Sequence, residues 1–456
     1  MLGFTTYGET LEYARAYIRN DMYPENDTIF EMSLPALKNT LKYVFEYLNH
    51  TCYILCVKAG VPVLRKIEPR TTSDLYKRTL SRAVKNLDKN GTLTDSQRKY
   101  IKNFVRNPLR IMQCVMKKYT GLKDSSENEY LTFFKKMRLP DGVFLLSLND
   151  TVILREDGFH PFENFVGRIH RKKYDFSKHI PILSLSGKNG FLDMVLPNYD
   201  DVINALSPPR DIRYCEWSKK DNAAVFRGGA SGCGYTQETN ARIRISTMRS
   251  PLIDAGIVGK TKTVDSTSVK FDPVHGLGMM NTGLSPKPFM TLKEQSRFKY
   301  IVHIDGNVNA YRLLTTMKTG SVILRVVSEY TSWADKYLKP DVHYVGVRAD
   351  LTDLEEKIEW CVKNDAECRR IAESAAEMAT FLTEHDSIYA EIQNTLWESV
   401  SADPDSVSSS YPNPAASAID IADIVKKPSN SAKCKNGTRK TDIVGKSVCR
   451  KTKKKH

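Results

Sequence analysis

From residue 296 onward the chain alternates short apolar runs with amphipathic stretches, and this alternation constrains the fold more than any other feature. Tyr300-Ile301-Val302-His303-Ile304 reads as a strand, Asp305-Gly306-Asn307 as a turn and Ala310–Met317 as a helix. Gly320-Ser321 leads into a strand over Val322–Val327, Tyr330–Leu338 reads as a helix, and Val342–Val347 as a third strand. Asp350-Leu351-Thr352-Asp353 is a cluster of helix-capping residues, after which helices are predicted over 353–363, 366–381 and 386–398. Such a βαβαβα pattern builds a doubly wound parallel sheet with helices on its faces.

A second α/β texture begins at Leu139-Pro140-Asp141-Gly142, a turn. The continuous apolar run Val143–Leu148 suits a strand buried on both faces. It ends at Asn149-Asp150, just past a strand's carboxyl end, where open α/β sheets place ligands. Shorter runs follow at Ile180–Leu185 and Asp193–Pro197, and Pro208-Pro209 stiffens a connection over 205–219. Ala223–Phe226 is then a strand, Arg227-Gly228-Gly229-Ala230-Ser231-Gly232-Cys233-Gly234 a glycine-dense loop, and Gln237–Met248 a helix carrying Asn240 and Arg242. Residues 1–130 read as mainly helical, with Leu11, Ala14, Tyr17 and Ile18 and then Leu37, Leu41, Val44, Phe45 and Leu48 at helical spacing. A strand pair over Cys52–Val57 and Val61–Leu64 interrupts them.

The formal charge of +15 divides unevenly along the 456 residues. Residues 426–456 hold 12 Lys and Arg against one acid, Asp442, a net of +11, which leaves the other 425 residues at only +4. The basicity is therefore an appended feature, and the body's charge does not point to a nucleic-acid-binding fold. Residues past 400 are rich in Ser and Pro, a composition that cannot support a core. No run approaches the ~20 apolar residues of a membrane span, and the first residues lack a signal-peptide pattern. Nine cysteines without such a signal read as reduced thiols in a cytosol-like compartment.

By local chemistry, Arg312 is the most informative side chain. A cation at a helix start opposes the helix dipole unless an anion offsets it. A diphosphate is one such anion; a local carboxylate such as Asp305 is the other. The amides at the same helix start suit phosphate without any particular side chain. The Arg227-Gly-Gly loop is neither a Walker A loop nor G-x-G-x-x-G, so on its own it is an ordinary glycine turn as readily as a ligand loop. Asp150 is either a turn-capping carboxylate or a reactive one. No C-x-x-C, H-E-x-x-H or strand-end D-x-D suggests a metal, and no G-x-S-x-G suggests a serine nucleophile.

The order of these motifs resembles the CAP10-type glycosyltransferases, glycosyltransferase family 90. The resemblance is carried by Leu139-Pro140-Asp141 and the strand ending in Asp150, then by Phe191-Leu192-Asp193-Met194-Val195-Leu196-Pro197 and Trp217-Ser218-Lys219. It continues through Val225-Phe226-Arg227-Gly228, Asn240, Arg242, Lys299-Tyr300, Asp305-Gly306, Tyr311-Arg312 and Gly320-Ser321-Val322-Ile323-Leu324, and closes with Trp333 through His343-Tyr344-Val345. It covers roughly 139–400. The two-cysteine basic tail, Lys433-Cys434-Lys435 to Cys449-Arg450-Lys451, is similar to tails on proteins of large DNA viruses.

The resemblance implies an α/β, GT-B-like fold: two Rossmann-like domains facing across a cleft, with a helical N-terminal region and a disordered basic tail. The expected division is 1–130, 131–205 on the acceptor side, 206–400 for the UDP-sugar, 401–432 as linker and 433–456 as tail. It implies an inverting, metal-independent transfer of glucose or xylose from a UDP-sugar to a protein or glycan hydroxyl, virion glycans among them, with no cofactor. Asp150 matches the general base and Arg312 the cation that neutralises the leaving diphosphate. Asp305 and Gly306 and the amides of Val308, Asn309 and Ala310 belong to the same phosphate site. Arg227, Gly228 and Gly229 match the loop beside the donor, and Asn240 and Arg242 the helix after it. Should Asp150 be a cap, Asp157 and Asp193 are the next carboxylates to consider. The expected location is the host cytoplasm, a viral factory or the virion, with polyanion contact through 426–456. The rival reading is an inactive virion component that binds nucleic acid through that tail.

Overall fold

The computed structural model describes residues 6–18, 34–48, 50–67, 125–159, 161, 174–175, 178–207, 215–232, 234–259, 265–272, 274, 276–401, 440–443 and 446–449. Most of the expected linker and tail lies outside these residues. The chain divides into two compact units, Met1–Tyr411 and Pro412–His456.

Within the first unit, helix α1 (Tyr7–Ile18) and a helical stretch over 34–48 precede an antiparallel hairpin of β1 (Cys52–Lys58) and β2 (Val61–Ile67). Helix α2 (Ser125–Phe134) leads to β3 (Gly142–Ser147), β4 (Ile182–Ser184), β5 (Gly187–Lys188), β6 (Met194–Val195) and helix α3 (Tyr199–Leu206). The apolar run forms β3 as expected. It pairs antiparallel with β1 on one side and parallel with β4 on the other, in a sheet of order β2-β1-β3-β4-β6. The division expected at residue 130 thus cuts through this sheet, because the N-terminal hairpin completes it.

The second sheet is wholly parallel. It is built from β7 (Asp221–Gly228), followed by helix α4 (Ala241–Thr247), then β8 (Ile253–Ile257), and, after a β9–β10 hairpin (Asp265–Asp272, Gly276–Asn281), β11 (Phe298–His303). Helix α5 (Leu313–Met317), β12 (Val322–Val326), the short β13 (Tyr330–Thr331) and β14 (Val345–Val347) follow. The spatial order is β14-β12-β11-β7-β8. Numbered within this sheet alone, that is the doubly wound order 2-1-3-4-5, whose direction of winding reverses between β7 and β11. Tyr330–Leu338 does not form the expected α-helix: β13 pairs with β5, and only Trp333–Lys336 turns, as a 3-10 helix with a Ser332–Asp335 capping box. The chain continues as α6 (Leu354–Lys363), α7 (Asp365–Leu382) and α8 (His385–Ser401), matching the expected helices within two or three residues.

One apolar cluster joins the two sheets. Leu146, Leu148 and Leu183 of the first pack in it with Val225, Ile301 and Ile323 of the second, together with α2, α5, α7 and α8. Each fully buried side chain of this size contributes on the order of 1.5–3 kcal/mol. Cross-links add to it: Trp333 Nε1 donates to Asp201 Oδ2 at 2.8 Å, Asn204 donates to Thr315 at 2.8 Å, and Lys188 pairs with Glu329. In the second unit, Lys440–Ile443 and Lys446–Cys449 form an antiparallel pair.

Candidate active site

The end of β3 is fastened before it reaches Asp150. Asn149 is buried, and its side-chain amide donates to the Thr51 carbonyl at 2.9 Å, tying the strand end to the start of β1. Asp150 follows, half-buried, and its carboxylate makes no hydrogen bond of ordinary geometry among the described residues. Burial pushes its proton affinity above the usual carboxylate range, an effect opposed by the Tyr311 phenol and the Arg242 charge. Both opposing groups belong to the second sheet's half of the site, Tyr311 in the turn before α5 and Arg242 in the first turn of α4. Chain segments some 90 and 160 residues away therefore converge on this carboxylate.

The other two loops of the site leave the second sheet where its winding reverses, after β7 and after β11. That crevice is where doubly wound sheets bind ligands. The loops interlock through glycines. Gly232 sits at φ +112°, and a Cβ there would come within 3.1 Å of the Gly306 carbonyl oxygen. A Cβ on Gly306 would lie 3.0 Å from Ser231 Oγ and 3.3 Å from an Arg242 guanidinium nitrogen. The Gly232 amide donates to Asn307 Oδ1 at 3.0 Å, completing the contact.

Arg242 holds both loops. Its guanidinium donates to the carbonyls of Gly229, Ile304 and Asp305 and to Ser231 Oγ, at 2.7 to 3.1 Å. All four acceptors are neutral, so the charge is positioned but not cancelled. Burial and the charge of Arg312 push its pKa down to about 10, against the pull of Asp305 and Asp150. Asn240 caps α4, its Oδ1 accepting from the amides of Arg242 and Ile243 while its Nδ2 donates to the Ser231 and Gly234 carbonyls. The expected helix from Gln237 starts at Ala241 because this cap fixes its beginning.

Arg312 is placed as the sequence suggested but bonded differently. It is the N-cap residue of α5, and its side chain makes neither a capping hydrogen bond nor an ion pair among the described residues. Burial pushes its pKa down, so the cation is desolvated without compensation. Asp305, the local carboxylate that could have paired with it, is engaged elsewhere. It accepts the Ala310 amide at 2.8 Å and lies 3.6 Å from His303 Nε2. Burial raises the Asp305 pKa, but those partners outweigh it and hold the group ionised.

Three expectations therefore need correction. The Ala310 amide is bonded to Asp305 and is not open to a phosphate, whereas the Val308 and Asn309 amides make no hydrogen bond among the described residues. Arg227 turns to β8, where it bonds the Asp254 carboxylate at 2.8 Å and the Phe226 and Asp254 carbonyls, so it secures the sheet beneath the loop. Gly228 ends that strand; Gly229, open on its own Cβ side, contributes its carbonyl to Arg242. Asn240 is a cap. The two reserve carboxylates are also spent: Asp193 accepts from the Ile153 and Leu154 amides and Ser184 Oγ, and Asp157 pairs with Arg155.

Among the described residues no group of three or more His, Cys, Asp or Glu side chains is arranged to hold a metal ion, and no helix is long and apolar enough to cross a membrane.

The sequence profile of glycosyl transferase family 90 matches residues 138–398, more than half of the chain. The chain belongs to glycosyl transferase family 90. Among its relatives, the uncharacterized protein 035R of Invertebrate iridescent virus 3 is 33% identical over 307 residues, which are 62% of this chain and 28% of that protein. Human protein O-glucosyltransferase 3 is 29% identical over 282 residues, 60% of this chain and 49% of that protein. The chain thus spans about a quarter of the first relative and half of the second. The crystal structure of Anabaena HepE in complex with UDP-glucose is 15% identical, covers 39% of this chain and 49% of its own, and has a TM-score of 0.27, too low to bear on the fold.

In this family 90 chain Asp150, Arg242, Asp305, Gly306 and Arg312 lie near one another, and Val308 and Asn309 belong to the same turn as Asp305 and Gly306. Sequence reasoning assigned no role to Tyr311, although it stands beside Arg312. Nothing in local spacing says that its phenol faces Asp150.

Proposed function

We propose that the chain is an inverting, metal-independent glycosyltransferase that takes a sugar from a UDP-sugar donor, in a GT-B-like arrangement of its two sheets. The observation that carries this reading is Arg312: a desolvated guanidinium without a counter-ion among the described residues, next to a second uncancelled guanidinium, at the winding reversal of a doubly wound sheet. Such a site has a place for an anion, and a diphosphate supplies one. The Val308 and Asn309 amides are available to the same oxygens.

The chemistry follows from the carboxylate opposite. The acceptor hydroxyl gives its proton to Asp150 as its oxygen attacks the anomeric carbon. The bond from that carbon to the diphosphate oxygen breaks, and the electron pair leaves with UDP. Arg312 and Arg242 stabilise the charge that develops there. Because burial raises its proton affinity, Asp150 is a stronger base than an exposed carboxylate. Attack from the face opposite the leaving group inverts the anomeric centre.

Glucose is the favoured sugar and xylose the next, transferred to a protein or glycan hydroxyl. The relatives named protein O-glucosyltransferase support the first choice, and the iridovirus relatives support a viral setting with virion glycans as acceptors. The deciding experiment is release of UDP from UDP-glucose, UDP-xylose, UDP-galactose and UDP-N-acetylglucosamine, each with and without EDTA. Turnover of one donor that survives EDTA supports the reading. Failure to bind UDP, or binding that EDTA abolishes, overturns it.

A further inference from the structure

Two buried hydroxyls near the reacting carboxylate have no completed hydrogen bond among the described residues: Tyr311 Oη and Ser186 Oγ. They come from different parts of the fold, the turn before α5 and the turn between β4 and β5. Asp150, at the end of β3, makes the third member of the group. The Tyr311 ring itself packs against the shared apolar cluster, so a phenylalanine would satisfy the packing. The hydroxyl needs another explanation, since a buried polar group without a partner is costly.

We infer that Tyr311 is a positioning residue, whose phenol donates a hydrogen bond to the Asp150 carboxylate while accepting one from Ser186 Oγ. The inference rests on Asp150 being the base. It assigns the segment 311–312 two tasks at once: Arg312 takes the diphosphate and the residue before it orients the proton acceptor. Settling Arg312 on an anion would draw the same turn against Asp150 and complete the hydrogen bonds left open here.

The charges around the pair are few. Asp150 faces Arg242 and Tyr311, which favour its ionised form, and Asp200 of α3, which opposes it. Tyr311 faces Asp150 and Tyr130 of α2, both of which keep the phenol protonated, and Ser186. A protonated phenol is a donor and a carboxylate is an acceptor, so the direction of the bond is set. A donor of this kind stabilises the charged carboxylate and lowers its pKa. Removing it must move that pKa up.

The test is Tyr311→Phe, assayed as hydrolysis of whichever UDP-sugar the wild type turns over. The acid limb of the kcat/KM profile should shift to higher pH, and the rate on that limb should fall by about tenfold, corresponding to roughly one pK unit. UDP affinity should stay within twofold, which also reports that the variant is folded. Should Tyr311→Phe fail to fold, Ser186→Ala must give a smaller shift in the same direction. An acid limb that stays in place in the folded Tyr311→Phe variant, or in Ser186→Ala where only that one folds, overturns the inference. Failure of the underlying reading looks different: Asp150→Asn would then retain turnover, whatever the Tyr311 variant does.

Discussion

Arg312 and Arg242 set two guanidinium groups against one another beyond the end of β11, and neither is ion-paired among the described residues. Like charges held together in a partly desolvated crevice cost stability unless something negative joins them. Arg242 has neutral acceptors for four hydrogen bonds, so its removal would collapse the loops it ties. Arg312 has none among the described residues, so its removal should leave the fold intact and report on the ligand alone.

Arg312→Ala should therefore weaken UDP binding by roughly 10- to 150-fold, the worth of about 1.5–3 kcal/mol for a hydrogen bond to a charged group. The melting temperature without ligand should stay level or rise, because an uncompensated cation has gone. Calorimetric titration and a melting curve on the same sample check both halves. An unchanged UDP affinity would make Arg312 a structural residue.

Asp150→Asn should lower turnover by about 10²- to 10⁴-fold, the usual contribution of a general base. UDP affinity should hold nearly constant, because the contacts proposed for the phosphates lie on the other sheet's loops. A turn-capping aspartate would behave otherwise, losing a little stability and no rate. Turnover, UDP affinity and melting temperature measured together separate these roles. Asp193 and Asp157 offer poor substitutes as base, since both are committed to internal hydrogen bonds or ion pairs.

Four of the second sheet's five strands were legible because each is an apolar run closed by a turn signal, as at Tyr300–Ile304 before Asp305-Gly306, whereas β8, with Asp254 and Gly256 interrupting its apolar residues, was not read from the sequence. Register and sheet membership were less so. The hairpin of Cys52–Lys58 and Val61–Ile67 could be seen as a strand pair, but nothing local reveals that it pairs with a strand some 90 residues later. The Tyr330–Leu338 segment has helical spacing, yet Thr331 is drawn into pairing with Gly187 and the helix is reduced to one 3-10 turn. At the site, side-chain type identified the chemistry of Asp150 and Arg312, whereas the partner of each charge was settled by tertiary structure. Asp254 claims Arg227 from the neighbouring strand, and the carbonyls of two loops claim Arg242.

The basic segment belongs to the unit Pro412–His456, whereas every residue of the crevice belongs to Met1–Tyr411. Truncation after Tyr411 should leave UDP-sugar hydrolysis within a few-fold of the full chain. It should also abolish salt-sensitive retention on heparin or DNA, because residues 426–456 carry +11 of the net charge. Equal retention by the truncated chain would place polyanion binding in the body instead.

Asp201 makes stability depend on pH. It is buried on α3, its Oδ2 accepts from Trp333 Nε1 and Asn198 Nδ2, and its Oδ1 has no hydrogen-bond partner among the described residues. Burial pushes its carboxyl up to about 7, against about 4 in the unfolded chain. Between those values the folded state keeps a proton that the unfolded state has lost. Stability must then fall as pH rises through that window and level off above it. Asp193, pushed up to about 6 chiefly by burial, works in the same direction over a narrower window. Asp201→Asn keeps an acceptor for Trp333 and cannot ionise, so it should remove the larger share of the slope. The measurement is the melting temperature at pH 5 and pH 8 for both proteins. A wild-type decrease that is clearly reduced in Asp201→Asn is the expected result. Equal decreases would mean that Asp201 stays ionised when folded and that another buried carboxyl governs the slope.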